Sequence, residues 1–178
     1  MPRVRYKMKL ASINSDGPAS IASIIKQHVS KYRDDSEEHG FRSSVDGIPV
    51  IIGTIAMDDH PDKDHFLGGK AFKIGGNALG GSRVSINFMY DFAKLSSAPF
   101  PNLDKAIRYI TYHEFEHPEG ESAGPDAYHI APHELRADAN AIEKLGITTW
   151  DELEKVATHL PFDNDEWRSA LNTMLQQP

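Results

Sequence analysis

Two histidines four positions apart suggest the chemistry that this sequence could perform. His113 and His117 enclose Glu114 in the run HEFEH. On a helix, side chains four residues apart share a face, so the two imidazoles would point to one place. Imidazole nitrogen is a preferred ligand of zinc, which usually takes four ligands in a tetrahedron. The spacing therefore predicts one Zn2+ ion bound by His113 and His117.

A third protein ligand is needed, and the absence of cysteine leaves Asp, Glu or His for that role. Glu134 and Asp138 lie four positions apart on the next predicted helix and would share a face. We predict Glu134 as the third ligand. Asp138 would accept a hydrogen bond from the outer nitrogen of a ligand imidazole and fix its orientation. His129 and His133 remain alternatives to Glu134.

The two motifs together, HEFEH and then ELRAD from Glu134 to Asp138, resemble the small gluzincin branch of the zincin metallopeptidases. The similarity covers roughly residues 20–145. It implies hydrolysis of peptide bonds, by an endopeptidase rather than an exopeptidase, through a zinc-activated water with Glu114 as general base. By position alone, Tyr128 or His129 would stabilise the oxyanion.

The resemblance also implies how the substrate binds. A protein or peptide substrate would add as a strand to an edge of the sheet, and we expect that edge at residues 83–90. One feature departs from the family pattern, because Pro118 directly follows His117. Since proline cannot continue a helix without losing a hydrogen bond and clashing, the metal helix should end or kink at His117.

The sequence pattern of the first half of the chain predicts strands and one helix. Val4, Tyr6, Met8 and Leu10 alternate with basic residues as in a half-buried strand, and the apolar spacing after Pro18 predicts a helix ending near residue 34. Three more strand-like runs, at residues 48–56, 66–74 and 83–90, suggest a meander of three or four strands. A polar hairpin loop at 58–65 and a flexible turn at 75–81 would separate them.

The sequence pattern of the second half predicts helices at residues 103–117, 132–145, 149–159 and 164–176. Pro132 suits a first helical turn, Gly146 a helix end, and Thr149 with Glu152 a capping box. The expected fold is therefore α+β in a single domain, residues 1–178. A minimal zincin-like core at about 20–145 would contain an N-terminal helix, a small sheet, the metal helix and the glutamate helix. C-terminal helices would extend it over about 148–178.

Charge and hydropathy restrict the classes of partner and the cellular location that the sequence predicts. A net charge of -7 argues against a nucleic-acid partner, which normally requires a concentrated excess of Lys and Arg. No signal peptide or membrane-spanning run is visible, so a cytoplasmic location is the default, with signal-independent export of an effector as the alternative. Two rival functions remain: a non-catalytic, zinc-stabilised protein-binding module, and an acidic interaction protein with incidental histidines.

Overall fold

The fold is known from a computed structural model, which confirms the α+β class. It describes residues 9–12, 17–31, 39–79, 82–95, 100, 102–117 and 129–177. The five strands in this part of the chain are β1 Lys9–Ser12, β2 His39–Val45, β3 Ile48–Ala56, β4 Phe72–Ala78 and β5 Val84–Tyr90. The seven α-helices within these ranges are α1 Pro18–Lys31, α2 Lys63–Leu67, α3 Phe92–Leu95, α4 Leu103–Glu116, α5 Pro132–Leu145, α6 Trp150–Val156 and α7 Asp165–Leu175.

The strands form one mixed sheet in the order β1-β2-β3-β5-β4. β2 and β3 are antiparallel, β3 and β5 parallel, and β5 and β4 antiparallel, while β1 runs parallel to β2. The predicted meander of three or four strands is therefore wrong, because β5 crosses over to pair with β3. The expectation that residues 83–90 form an edge is also wrong, since β5 lies between β3 and β4. The edge strand on that side is β4.

Two local predictions in this region are wrong, one because of backbone geometry and the other because of strand pairing. The run 66–74 is not one strand, because Gly68 and Gly69 adopt left-handed φ angles of 57° and 75° that end α2 before β4 begins. Residues 75–81 are not simply a turn, since Gly75 to Ala78 pair along β5. The loop predicted at 58–65 contains the start of α2. The strand β2 lies where the sequence predicts no strand.

A tight turn joins β2 to β3. Val45 pairs with Ile48, and the two residues between them, Asp46 and Gly47, have φ angles of 49° and 81°. Positive φ at both central positions matches the right-handed twist of the flanking strands and favours Asp-Gly. This turn also contacts α4, because the Asp46 carboxylate accepts hydrogen bonds from Arg108 and Tyr112 of that helix.

Helix α4, which carries the HEFEH motif, packs on the sheet at β4 and β5, and α1 and α5 pack against α4. Along β5 the side chains alternate between buried and half-buried, as the period of a strand requires. The buried side chains of β5 join one hydrophobic cluster with α1 and α4. The β5 members of this cluster are Val84, Ile86, Phe88 and Tyr90.

Sequence signals locate the ends of the two central helices well. α4 ends at Glu116, and His117 is extended, with a ψ of 122°, directly before Pro118. The predicted stop at His117 is thus confirmed. α5 begins at Pro132 and ends before Gly146, whose N–H closes the helix onto the Glu143 and Ile142 carbonyls.

The C-terminal helices α6 and α7 bury side chains in the same hydrophobic cluster as α1, α4 and β5. The Thr149 side chain accepts from the Glu152 N–H as predicted, but α6 ends at Val156 instead of residue 159. In α7, Trp167 and Leu171 are fully buried members of the cluster. α7 packs on α5, and α6 packs on α4.

Some predictions concern residues outside the described ranges. The alternating residues Val4, Tyr6 and Met8 and the oxyanion candidate Tyr128 lie outside them, as does the expected end of the first helix near residue 34. Within the described ranges, no helix combines the length and apolar character that crossing a membrane would require.

Candidate metal centre

The packing of α4 against α5 brings together the three side chains predicted as ligands. His113, His117 and Glu134 each offer one atom within 4.8 Å of the others. His113 Nε2 lies 3.1 Å from Glu134 Oε2 and 3.2 Å from His117 Nε2. His117 Nε2 lies 3.5 Å from Glu134 Oε1. No other group of this kind occurs in the described part of the chain.

These distances fit one cation between the side chains. Two nitrogens bound to zinc at about 2.05 Å and separated by the tetrahedral angle lie about 3.3 Å apart. The two Nε2 atoms are 3.2 Å apart. A set of two imidazoles and one carboxylate suits zinc, although other divalent transition metals accept the same donors. The residues therefore fit a metal ion, without a geometry that selects zinc alone.

Asp138 holds the outer nitrogen of His113. Its Oδ1 atom lies 2.8 Å from His113 Nδ1 and accepts a 2.6 Å hydrogen bond from the Tyr109 hydroxyl. Asp138 is 1% exposed, so both interactions are shielded from water. With Nδ1 bound to Asp138, Nε2 is the nitrogen that His113 turns toward His117 and Glu134.

Tyr109 has a role that the sequence reasoning missed. It lies one turn before His113 on α4 and is fully buried. Burial, together with the Asp138 carboxylate, raises the pKa of Tyr109 well above its ordinary value, so its hydroxyl stays a donor to that carboxylate. Its position four residues before His113 was the available signal.

The charges of the predicted ligand side chains act strongly on one another. Burial alone would lower the pKa of His113, but hydrogen bonds to the Asp138 and Glu134 carboxylates raise it to about 10. Burial alone would raise the pKa of Glu134, yet the neighbouring His113 and His117 hold it below its ordinary value. The His113 proton and the Glu134 carboxylate therefore lie where a cation would bind. A cation bound there would compete with that proton for His113.

Glu114 is near the predicted ligands but does not belong to the cluster. It is 7% exposed, and its side chain lies against Gly76 of the edge strand β4. Burial raises the pKa of Glu114, an effect that the charges of His113 and His117 partly offset. The structure thus places a carboxylate of raised pKa between the predicted ligands and the sheet edge.

The two alternative third ligands lie outside the cluster. His133 Nε2 is 3.7 Å from Glu134 Oε1, and its ring centre is 5.6 Å from that of His117. His129 lies half-buried in a short helical turn before α5. Burial lowers the pKa of His129, and the charges of Asp138 and Glu134 act on it in the opposite direction. Both histidines border the centre, and Glu134 supplies the third atom of the cluster.

His159 also lies near the centre, and no sequence signal pointed to it. Its ring is edge-on to Tyr109, with ring centres 6.3 Å apart. Burial lowers the pKa of His159 to about 4, so the imidazole is neutral at pH 7. Among the described residues, nothing forms a hydrogen bond with its buried Nδ1 atom. The helix predicted over residues 149–159 would end at His159, whereas this residue lies in the connection between α6 and α7.

No protein-family model, curated protein or solved structure matches this chain. The chemistry of the centre is therefore inferred from its own side chains.

Proposed function

We propose that the protein is a zinc-dependent metallopeptidase, more specifically an endopeptidase, that hydrolyses peptide bonds in a protein or peptide substrate. The observation that carries the proposal is the position of Glu114. A metal site that only stabilises a fold needs its ligands and their hydrogen-bonding partners. It has no need of a further buried carboxylate that is beside the ligands but outside the cluster.

His113, His117 and Glu134 would hold the zinc, and Asp138 would orient His113. Zinc bound there would polarise a peptide carbonyl and lower the pKa of a water molecule. Glu114 would accept a proton from the attacking water and deliver it to the leaving amine nitrogen. Its raised pKa, caused first by burial, suits both steps because the proton is neither held too weakly nor released too slowly.

The edge strand β4 gives the substrate a place to bind. β4 pairs with β5 on one side, and none of the described strands pairs with its other side. A peptide in extended form would add there through backbone hydrogen bonds, as in other cases of strand addition. Because Gly76 of β4 lies against the Glu114 side chain, a peptide along β4 would pass close to Glu114. This edge replaces residues 83–90 as the proposed substrate strand.

Replacing Glu114 tests this function directly. The zinc-loaded protein and its Glu114→Gln variant would be incubated with a peptide library prepared from a digested proteome, and cleavage would be followed by mass spectrometry. We expect new termini with the wild type and a loss of at least about 100-fold in the variant, the usual effect of losing a general base. Both proteins should hold equal zinc.

Glu116→Gln is the matched control, because Glu116 is an exposed glutamate two residues further along the same helix. It should cleave like the wild type. Equal zinc with no cleavage by the wild type would favour the zinc-stabilised binding module instead. Undiminished cleavage by Glu114→Gln would contradict the role of Glu114.

A further inference from the structure

We propose that Tyr109 is a positioning residue of the metal centre, whose hydrogen bond to Asp138 holds α5 against α4 before a metal ion binds and thereby strengthens metal binding. This role rests on the metal centre that the proposed function uses, but it does not require peptide hydrolysis. Tyr109 would thus help to assemble the ligands in addition to filling the core.

Side chains of α4 and α5 alternate across the contact between the two helices. Tyr109, His113 and His117 follow at four-residue intervals along α4 and its C-cap, and Glu134 and Asp138 are four residues apart on α5. The Tyr109 hydroxyl is 2.6 Å from Asp138 Oδ1, which is 2.8 Å from His113 Nδ1. His113 Nε2 is 3.1 Å from Glu134 Oε2, and Glu134 Oε1 is 3.5 Å from His117 Nε2. The five side chains form an interhelical ladder that begins at Tyr109.

The Tyr109 end of the ladder is held by a direct hydrogen bond that needs no metal ion. Its length of 2.6 Å is typical of a hydroxyl that donates to a carboxylate. Tyr109 and Asp138 are 0% and 1% exposed, so water does not compete for this bond. At the other end, the 3.5 Å between His117 and Glu134 exceeds the usual length of an N–H···O hydrogen bond, about 2.7–3.2 Å. A cation between these two groups would complete that end of the ladder.

Tyr109 acts on two ligands through Asp138. The same Asp138 oxygen accepts from the Tyr109 hydroxyl and faces His113 Nδ1, so the Tyr109 bond fixes the atom that orients the His113 ring. Asp138 also lies one turn after Glu134, so holding Asp138 against α4 keeps Glu134 beside His113. Ligands that are already in place lose less conformational freedom when the ion binds, which strengthens binding. Removing the Tyr109 hydroxyl should therefore weaken metal binding, although Tyr109 is not a ligand.

The alternative is that Tyr109 only fills the core. Its ring centre is 6.3 Å from that of His113 and 6.3 Å from that of His159. Tyr109→Phe keeps this ring and removes only the hydroxyl, so it separates hydrogen bonding from packing. Tyr112→Phe is the matched control, because the Tyr112 hydroxyl also donates to a carboxylate, that of Asp46, three positions further along the same helix.

The first experiment measures zinc affinity in the full-length protein by competition with a chromophoric chelator. We expect Tyr109→Phe to raise the zinc dissociation constant about fivefold to twentyfold, near the lower limit for losing a residue that orients a ligand. Tyr112→Phe should keep the wild-type dissociation constant. An unchanged constant in Tyr109→Phe, or an equal rise in Tyr112→Phe, would overturn the role of Tyr109.

A double-mutant cycle shows whether the effect passes through Asp138. Asp138→Ala removes the acceptor that Tyr109 and His113 share. In that background, Tyr109→Phe has no hydrogen bond left to break, so it should change the zinc dissociation constant by less than about twofold. If Tyr109→Phe weakens zinc binding by the same factor with and without Asp138, the two residues act independently and the proposed route is wrong.

The second experiment needs no variant, so it remains decisive if Tyr109→Phe does not fold. In zinc-free wild-type protein, the Tyr109 hydroxyl proton should give a slowly exchanging NMR resonance, assigned through its ring protons, because burial shields the bond to Asp138 from water. Adding zinc should leave this resonance in place. A resonance that appears only with zinc would mean that the ion, and not Tyr109, sets the place of α5, and would overturn the inference.

The outcomes separate the role of Tyr109 from the proposed function. If Tyr109→Phe weakens zinc binding while the wild type cleaves no peptide, the peptidase proposal fails and the role of Tyr109 stands. If the wild type cleaves peptides and Tyr109→Phe binds zinc as tightly as the wild type, the peptidase stands and the role of Tyr109 is wrong. A wild type that binds no zinc would contradict both.

Discussion

Gly76 of β4 lies against Glu114 of α4 so closely that a side chain would not fit between them. A Cβ atom at position 76 would be 2.7 Å from Glu114 Cγ and 2.4 Å from Ile110 Cγ2. The edge strand therefore approaches the metal helix to a distance that only glycine permits. One residue pair thus sets the separation between the proposed general base and the strand along which we expect the substrate to bind.

Gly76→Ala should damage the centre through packing. The added methyl group would force Ile110 and Glu114 or the strand to move, and overpacking of this kind costs about 1–3 kcal/mol. We expect a lower free energy of unfolding in urea and a loss of cleavage larger than any loss of zinc. Gly75→Ala is the matched control, because a Cβ there would meet no atom within 4 Å. Equal effects of the two substitutions would contradict this packing account.

Asp138→Asn should weaken metal binding without removing a ligand. Asn lacks the charge that Asp138 presents to His113 Nδ1 and to the Tyr109 hydroxyl. Losing such a partner typically costs 10–100-fold in metal affinity. We expect about that increase in the zinc dissociation constant, measured by competition with a chromophoric chelator. Glu143→Gln, an exposed acid on the same helix, should bind zinc like the wild type.

Folding stability should depend on His159 in mild acid. The pKa of His159 is lowered from 6.5 to about 4 by burial, so the unfolded chain binds this proton more readily than the folded one. The stabilising effect is complete above about pH 6.5 and is lost as the pH falls toward about 4. At most about 3 kcal/mol is involved.

Urea unfolding of the wild type and His159→Phe at pH 7 and pH 4 measures this contribution. The wild type should lose more stability than the variant between these values. Parallel losses would show that His159 titrates in the folded protein as it does in the unfolded chain.

Removing the metal should lower thermal stability. A ligand that binds only the folded state at 100 times its dissociation constant adds about 2.7 kcal/mol. For a chain of 178 residues, this corresponds to a rise in Tm of roughly 5–10 °C on adding zinc to chelator-treated protein. His113→Ala should show a much smaller rise. An equal rise in that variant would mean that zinc binds elsewhere.

The parts of the site that sequence could predict are those set by local geometry. His113 and His117, and likewise Glu134 and Asp138, lie four apart, so helix periodicity alone places each pair on one face. The helix ends at Pro118 and Gly146 follow from backbone chemistry in the same way. What the structure adds is that the two pairs meet, with His113 Nδ1 2.8 Å from Asp138 Oδ1.

The parts that sequence could not predict depend on pairing between distant segments. Residues 83–90 have the alternation of a half-buried strand whether they lie at an edge or inside a sheet. Only the parallel pairing of β5 with β3 makes β4 the edge. β2 has little strand signal in its sequence HGFRSSV, and its place depends on β3. His159 belongs to no motif and reaches Tyr109 only through the packing of α6 on α4.

Zinc content is the measurement that tests the central claim most directly. Elemental analysis after mild dialysis would be made on the full-length wild type, on His113→Ala and Glu134→Ala, and on His65→Ala, an exposed histidine of α2, as control. We predict one zinc per chain in the wild type and in His65→Ala, and weakened retention in the other two. No bound or rebindable zinc in the wild type, or full retention by His113→Ala and Glu134→Ala, would contradict the metal centre and with it the proposed peptidase.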